Sequence, residues 1–349
     1  MSRSKRGLPS VAILALPEAT ASVTYGMLDL FCSAGRDWGV VTQGAAGPKV
    51  VEAELVARTL GAFEVVNGVL VQPHRALGSK SYDVVCVPEL AVPPHEPVDG
   101  RFLEEIDWIR EQHEQGAIVA TACSGAILLA AAGLLDGLEA TTHWAYCETL
   151  ERRHPTVRVH RDRALVATGV GQRLVMAGGG TTWLDLALYL LSRLVDLETA
   201  MQVAKMNLID WHDMGQQPYA RLVGARQTED AVIARCQAWI AERSTVEAPV
   251  ASMIRISGLP ERTFKRRFQK AAGMSPLQYV HAIRLERAKT LLETSDETLD
   301  QLAERVGYEN ATFFSRLFRR AVGLTPAQYR RRFGALRSAV ADGPPANRR

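Results

Sequence analysis

Up to Leu194, apolar positions along the chain fall into two alternating patterns. Short apolar runs bounded by turn residues predict buried strands over 11–16, 82–88, 116–121, 157–160, 164–167 and 174–176. Between them, helical spacing predicts a helix ending near Ala34-Gly35, one over 102–115 stopped by Gly116, one over 126–132 closed by Gly133, and a long apolar helix from Thr182 to Leu194. Strands and helices in alternation predict an α/β domain of the flavodoxin-like kind, a largely parallel sheet with helices on both faces. From Leu197 onward no strand pattern recurs. A helix is expected from Ala231 to Arg243, a junction over 244–249, and then short helices punctuated by Gly and Pro. The expected domains are 9–213, α/β, and 231–337, all-α.

The helical part repeats itself. Phe264-Lys-Arg-Arg-Phe268, Gly273, Ser275-Pro276 and Gln278-Tyr279 match Phe314-Ser-Arg-Leu-Phe318, Gly323, Thr325-Pro326 and Gln328-Tyr329 at a constant offset of 50, while Gly258 and Gly307 differ by 49. A regular offset marks a duplicated supersecondary unit. Each copy has the physics of a helix-turn-helix: a first helix with apolar residues at helical spacing (Val250 and Ile254; Leu299, Leu302, Ala303 and Val306), a glycine for the turn, then a second helix anchored by two phenylalanines four apart. Pro260 suits the first turn of one second helix, and Asn310 suits the cap of the other. The opposite faces offer Arg262, Lys265 and Arg266 in the first copy and Thr312, Ser315, Arg316 and Arg319 in the second. With Asn310, these are side chains suited to base edges and phosphates in a major groove.

Charge sharpens this reading. The whole chain carries a net +3, but residues 250–337 hold 17 Lys/Arg against 8 Asp/Glu, and the remainder holds 24 against 30. A basic end on an otherwise acidic chain points to a polyanionic partner, here double-stranded DNA. No apolar stretch approaches a membrane span. The positive run Ser2–Arg6 is followed by an apolar run too short for an export signal, and the Pro/Ala/Arg-rich tail Ala341–Arg349 reads as unstructured. Five scattered cysteines show neither metal-ligand spacing nor a disulfide framework, so no metal or cofactor is expected, and a reducing cytoplasm is.

On these residues the segment from Val250 to Phe333 resembles the AraC/XylS family of transcriptional regulators. The two Gly-x-[Ser/Thr]-Pro-x-x-Tyr elements and the intervening Arg284-Leu-Glu-Arg-Ala-Lys-Thr-Leu-Leu292 carry the resemblance. It implies that one chain inserts both second helices into successive major-groove segments. Residues 276–292 form the connecting helix, roughly 26 Å long at about 1.5 Å per residue, comparable to the ~34 Å of one DNA turn.

In the α/β part, Ala120-Thr-Ala-Cys-Ser-Gly-Ala126 places Cys123 between a strand and a helix, the arrangement of a nucleophile elbow. A helix N-terminus favours thiolate. His143 follows in Ala140-Thr-Thr-His-Trp144. With Ala177-Gly-Gly-Gly-Thr-Thr-Trp-Leu-Asp-Leu-Ala187, these segments resemble PfpI-like class I glutamine amidotransferase domains of the kind fused to AraC-type domains, the GlxA-type regulators. Against enzymatic relatives, Ser124 replaces a histidine, Ala145 replaces an acid, Val23 or Thr24 occupies the place of a carboxylate facing the sulfur, and Glu18 is out of place. Catalytic residues are therefore not expected, and Cys123, Ser124, His143 and Trp144 are candidates for a ligand pocket. Three readings of Cys123 stay open: a buried inert thiol, a pocket or redox-sensing residue, and a hydrolytic nucleophile. The resemblance implies a homodimeric regulator, an activator, that responds to a small nitrogenous metabolite, with RNA polymerase a further candidate partner. The alternatives are a Cys-dependent amidohydrolase joined to a DNA-binding module and a thiol-based redox regulator.

Overall fold

Val11, Ile13, Val84, Cys86, Ala120 and Val175 face one side of a central sheet; Ala12, Leu14, Val85, Val87, Val119 and Met176 face the other. Both sides are buried, which is why these strands read as unbroken apolar runs rather than alternating ones. The computed structural model describes residues 7–98, 100–222, 228, 230–335 and 337; the Ser2–Arg6 run and the Ala341–Arg349 tail lie outside these. The chain divides into two units at the Gln216–Gln217 bond.

In the first unit the sheet comprises β1 (Ser10–Leu14), β2 (Glu52–Ala57), β3 (Arg75–Ala76), β4 (Val84–Val87), β5 (Ile118–Thr121), β6 (Leu165–Thr168) and β7 (Leu174–Ala177). Their order is β6-β7-β5-β4-β1-β2-β3, parallel except for the β6–β7 pair. One face packs α1 (Ala21–Ser33), α4 (Thr182–Leu194) and α5 (Leu197–Met206); the other packs α2 (Leu103–Glu114) and α3 (Ala126–Ala131). β2 has no sequence expectation behind it. Glu-Ala-Glu-Leu-Val-Ala is rich in helix formers, and only pairing with β1 makes it a strand. The expected strand over 157–160 is the two-residue Arg158–Val159, paired with Glu139–Ala140 outside the main sheet.

The second unit contains α6 (Ala231–Glu242), α7 (Pro249–Ser257), α8 (Glu261–Ala272), α9 (Pro276–Thr294), α10 (Leu299–Arg305), α11 (Ala311–Val322) and α12 (Pro326–Phe333). It has two apolar cores, one per repeat. Phe264 and Phe268 enter one with Ile233, Met253 and Val280; Phe314 and Phe318 enter the other with Leu302, Leu285 and Tyr329. The connecting helix α9 serves both cores, contributing Val280 to the first and Leu285, Ala288 and Leu292 to the second. The repeated Gly-x-[Ser/Thr]-Pro element is a helix stop followed by a helix start. Gly273 and Gly323 end α8 and α11 at positive φ, and Ser275 and Thr325 begin α9 and α12 with capping boxes to Gln278 and Gln328. Pro260 stands at the N-cap of α8, one residue before its expected place in the first turn. Among the described residues no helix is long and apolar enough to cross a membrane.

Candidate functional site: a buried elbow and two basic helices

β5 ends at Thr121, and Cys123 then turns the chain with φ +54°, a left-handed conformation unusual for a residue with a side chain. The strained elbow expected from the small neighbours is present. Its N–H donates to the Gly178 carbonyl at 2.9 Å, which ties the elbow to the end of β7. The expected thiolate is not supported. Burial pushes the Cys123 thiol up to about 11, the nearby Glu89 carboxyl adds to the rise, and hydrogen bonds from Ser124 and Gly180 oppose it only in part. The helix after the elbow is six residues long, entered through a 3-10 turn. Desolvation therefore outweighs its dipole.

Ser124 is fully buried: its hydroxyl donates to the Leu90 carbonyl and accepts the Leu90 N–H, each at 2.8 Å. His143 has Nδ1 occupied by the Ala145 N–H at 3.1 Å. Its ring lies 4.9 Å from Trp144 and 6.0 Å from Tyr146, and against Gly179, where a Cβ would come within 2.0 Å of Cδ2. Burial lowers its pKa, which keeps the ring neutral. Thr142 Oγ1 donates to the Cys123 carbonyl at 2.7 Å, joining the His143 loop to the elbow.

The first helix carries Val23 and Thr24 where enzymatic relatives place a carboxylate. Glu18 is turned away, paired with Arg101 at 2.9 Å, and Thr24 bonds back to the Thr20 carbonyl within α1. Glu89, after β4, is the carboxyl whose charge raises the Cys123 thiol. Burial raises its pKa, Thr20 donates to one of its oxygens, and the other is buried without a partner among the described residues. Sequence reading sought the acid in α1, and nothing in Pro88-Glu89-Leu90 marks its destination. Gln216 was missed as well. Its carboxamide, 3% exposed, bonds the Trp144 and Gly179 N–H groups. The Cys123 thiol is thus protonated at neutral pH, and the His143 ring is neutral with its Nδ1 occupied.

A concavity of about 530 Å³ opens beyond the C-terminal ends of β1 and β2, lined by Leu16, Glu18, Arg58, Phe63, Arg101 and Phe102 among others. Its arginines are paired, Arg58 with Glu105 at 2.6 Å and Arg101 with Glu18.

In the second unit, Arg262, Lys265 and Arg266 on α8 and Thr312, Arg316 and Arg319 on α11 are solvent-exposed, and Ser315 is half-buried. The phenylalanines on the opposite faces are fully buried. Lys265 reaches Glu261 at 2.5 Å in an exposed pair. Asn310 is exposed, but its Oδ1 accepts the Phe313 N–H at 2.8 Å, so it acts as the cap of α11. Arg320, exposed on α11, extends the basic face beyond the residues expected. Arg267 leaves it, bonding Asp230 through two nitrogens at 2.7 and 2.8 Å.

Residues 38–192 match the model of the DJ-1/PfpI family and residues 253–332 that of a helix-turn-helix domain. The transcriptional regulator GbdR of Pseudomonas aeruginosa is 26% identical over 232 residues, 65% of this chain and 61% of its own length. The regulator GlxA of Rhizobium meliloti is 27% identical over 247 residues, 66% of this chain and 74% of its own. The activator RhaR of Yersinia pseudotuberculosis is 43% identical over 82 residues, 24% of this chain and 28% of its own. The chain thus matches less than two thirds of GbdR. The two family matches fall on the elbow-bearing sheet and on the paired helix-turn-helix units in turn, and the chain carries a DJ-1/PfpI-family domain followed by a helix-turn-helix domain of the AraC type.

Proposed function

We propose that the protein is a DNA-binding transcriptional regulator whose α/β domain senses a small molecule and whose helical domain reads DNA. One observation carries the proposal: two helix-turn-helix units, each with its own core, present basic and hydroxyl side chains at matching positions on α8 and α11. Relatives named as transcriptional regulators support it. The effector is a small nitrogenous metabolite bound at the C-terminal strand ends, where open α/β sheets take ligands, with Cys123, His143 and Trp144 at that end. The domain is not catalytic, since its thiol is protonated and its histidine is held away from base duty. The regulator works as a homodimer in the cytoplasm and meets RNA polymerase at promoters.

Selection of duplexes from a random pool by the full chain tests this, followed by titration of the enriched site. Arg266→Ala and Arg316→Ala should each cost about 1–3 kcal/mol of affinity if they contact bases, whereas Arg267→Ala, already committed to Asp230, should leave affinity nearly unchanged. No enriched sequence, or variants indistinguishable from wild type, would overturn the reading.

A further inference from the structure

Residues 216–222 carry two sets of attachments that neither the elbow nor the basic helices account for. Gln216 closes the first unit. Its Oε1 accepts the Trp144 N–H at 3.0 Å and the Gly179 N–H at 3.3 Å. Its Nε2 donates to the carbonyls of Thr142 at 2.7 Å and Arg163 at 3.3 Å, and to Thr141 Oγ1 at 3.3 Å. Donors on the oxygen and acceptors on the nitrogen read a primary carboxamide. A carboxylate of the same shape would set its second oxygen against two carbonyls. The segments that hold the amide also hold the elbow: Thr142 bonds the Cys123 carbonyl, and the Cys123 N–H bonds Gly178.

The next residue begins the second unit, and there residues 217–222 attach to the second helix-turn-helix although they precede the first in sequence. Gln217 Nε2 donates to the Ala321 carbonyl at 3.0 Å, in the last turn of α11. Tyr219 meets Phe333 of α12 edge-on at 5.1 Å and accepts from Arg332 at 2.9 Å. Lys289 of α9 donates to the Ala220 carbonyl at 2.8 Å, and the Leu222 N–H donates to Glu286 at 2.5 Å. Three helices of the DNA-reading unit are therefore held by a strap whose preceding residue is fixed to the segments that hold the elbow.

We propose that the slot around Gln216 is a binding site for a primary carboxamide with the chain's own side chain as its resident occupant, and that its occupancy is passed along residues 217–222 to the second helix-turn-helix. A primary-amide ligand that displaces Gln216 releases the strap at its first attachment and loosens the end of α11. This rests on the sensing role proposed above, naming its ligand class and route.

Hydrogen exchange on the full chain tests it without DNA, so its failure is separable from failure of the regulator reading. Gln216→Ala should raise exchange about tenfold in 142–145 and 178–180, and also in 319–323 and 326–333. Propionamide, filling the vacated slot, should restore protection in both units, and propionate should not. Tyr219→Ala should loosen the second unit alone. Should Gln216→Ala fail to fold, Gln216→Glu takes its place, with the same two-unit loosening expected. A change confined to the first unit overturns the strap, and rescue by both probes or by neither overturns the carboxamide site.

Discussion

At Cys123 two features of the elbow pull the thiol in opposite directions. The turn exposes it to backbone N–H groups that favour thiolate, while burial and the neighbouring Glu89 favour the protonated form, and the latter prevail. The shift is upward from 9.0 to about 11, so the thiol stays protonated through neutral pH and ionises only as pH rises toward that value. Alkylation by iodoacetamide, followed by mass spectrometry at Cys123, should be roughly 100-fold slower at pH 8 than for an unperturbed thiol, from thiolate fraction alone. It should quicken about tenfold per pH unit up to about pH 10. A rate at pH 7 matching free cysteine would restore the redox-sensor reading.

Among elements, α11 shows how one residue serves the helix before any partner. Asn310 caps it with its side-chain oxygen, a role the sequence position already suggested. Asn310→Ala should lower the stability of the helical domain by about 1 kcal/mol, and Asn310→Asp, which keeps the acceptor, should recover most of it. Chemical denaturation monitored by helical circular dichroism decides this. An unchanged midpoint for Asn310→Ala would mean that the cap is dispensable and Asn310 is free to face DNA. The connecting helix is secured differently. The Arg284 guanidinium, buried on α9, donates to the carbonyls of Ser244 and Gly307 at 2.7 Å each, bridging the junction before the first repeat to the turn of the second. Arg284 looked in sequence like one more basic residue of the resemblance. Only its burial separates it from those facing solvent.

For the whole molecule, the charge division remains the governing fact: a basic helical end attached to an acidic remainder. Affinity for the selected duplex should fall steeply with added salt, because phosphate contacts release counterions. A homodimer joined through the α/β domain would raise avidity by effective concentration. Sedimentation of the full chain at micromolar concentration should give a dimer. A strictly monomeric species would leave the two helix-turn-helix units of one chain to bind alone.

The duplicated helix-turn-helix, the alternating α/β pattern and the elbow were all written into local sequence. Their signals are periodicity, a constant offset, and turn and cap residues acting within a few positions, which is the range over which sequence speaks for itself. β2 was not, because Glu, Ala and Leu take strand form there only through pairing with β1. Nor were Glu89 and Gln216, which reach the elbow from segments distant along the chain, or the committed state of Ser124, whose partner Leu90 lies 34 residues away. The protonation of Cys123 belongs to the same class. Residue type and a helix start suggested thiolate, but the number of atoms excluding water around a sulfur is a property of the packed domain, and in this fold that desolvation outweighs the local dipole.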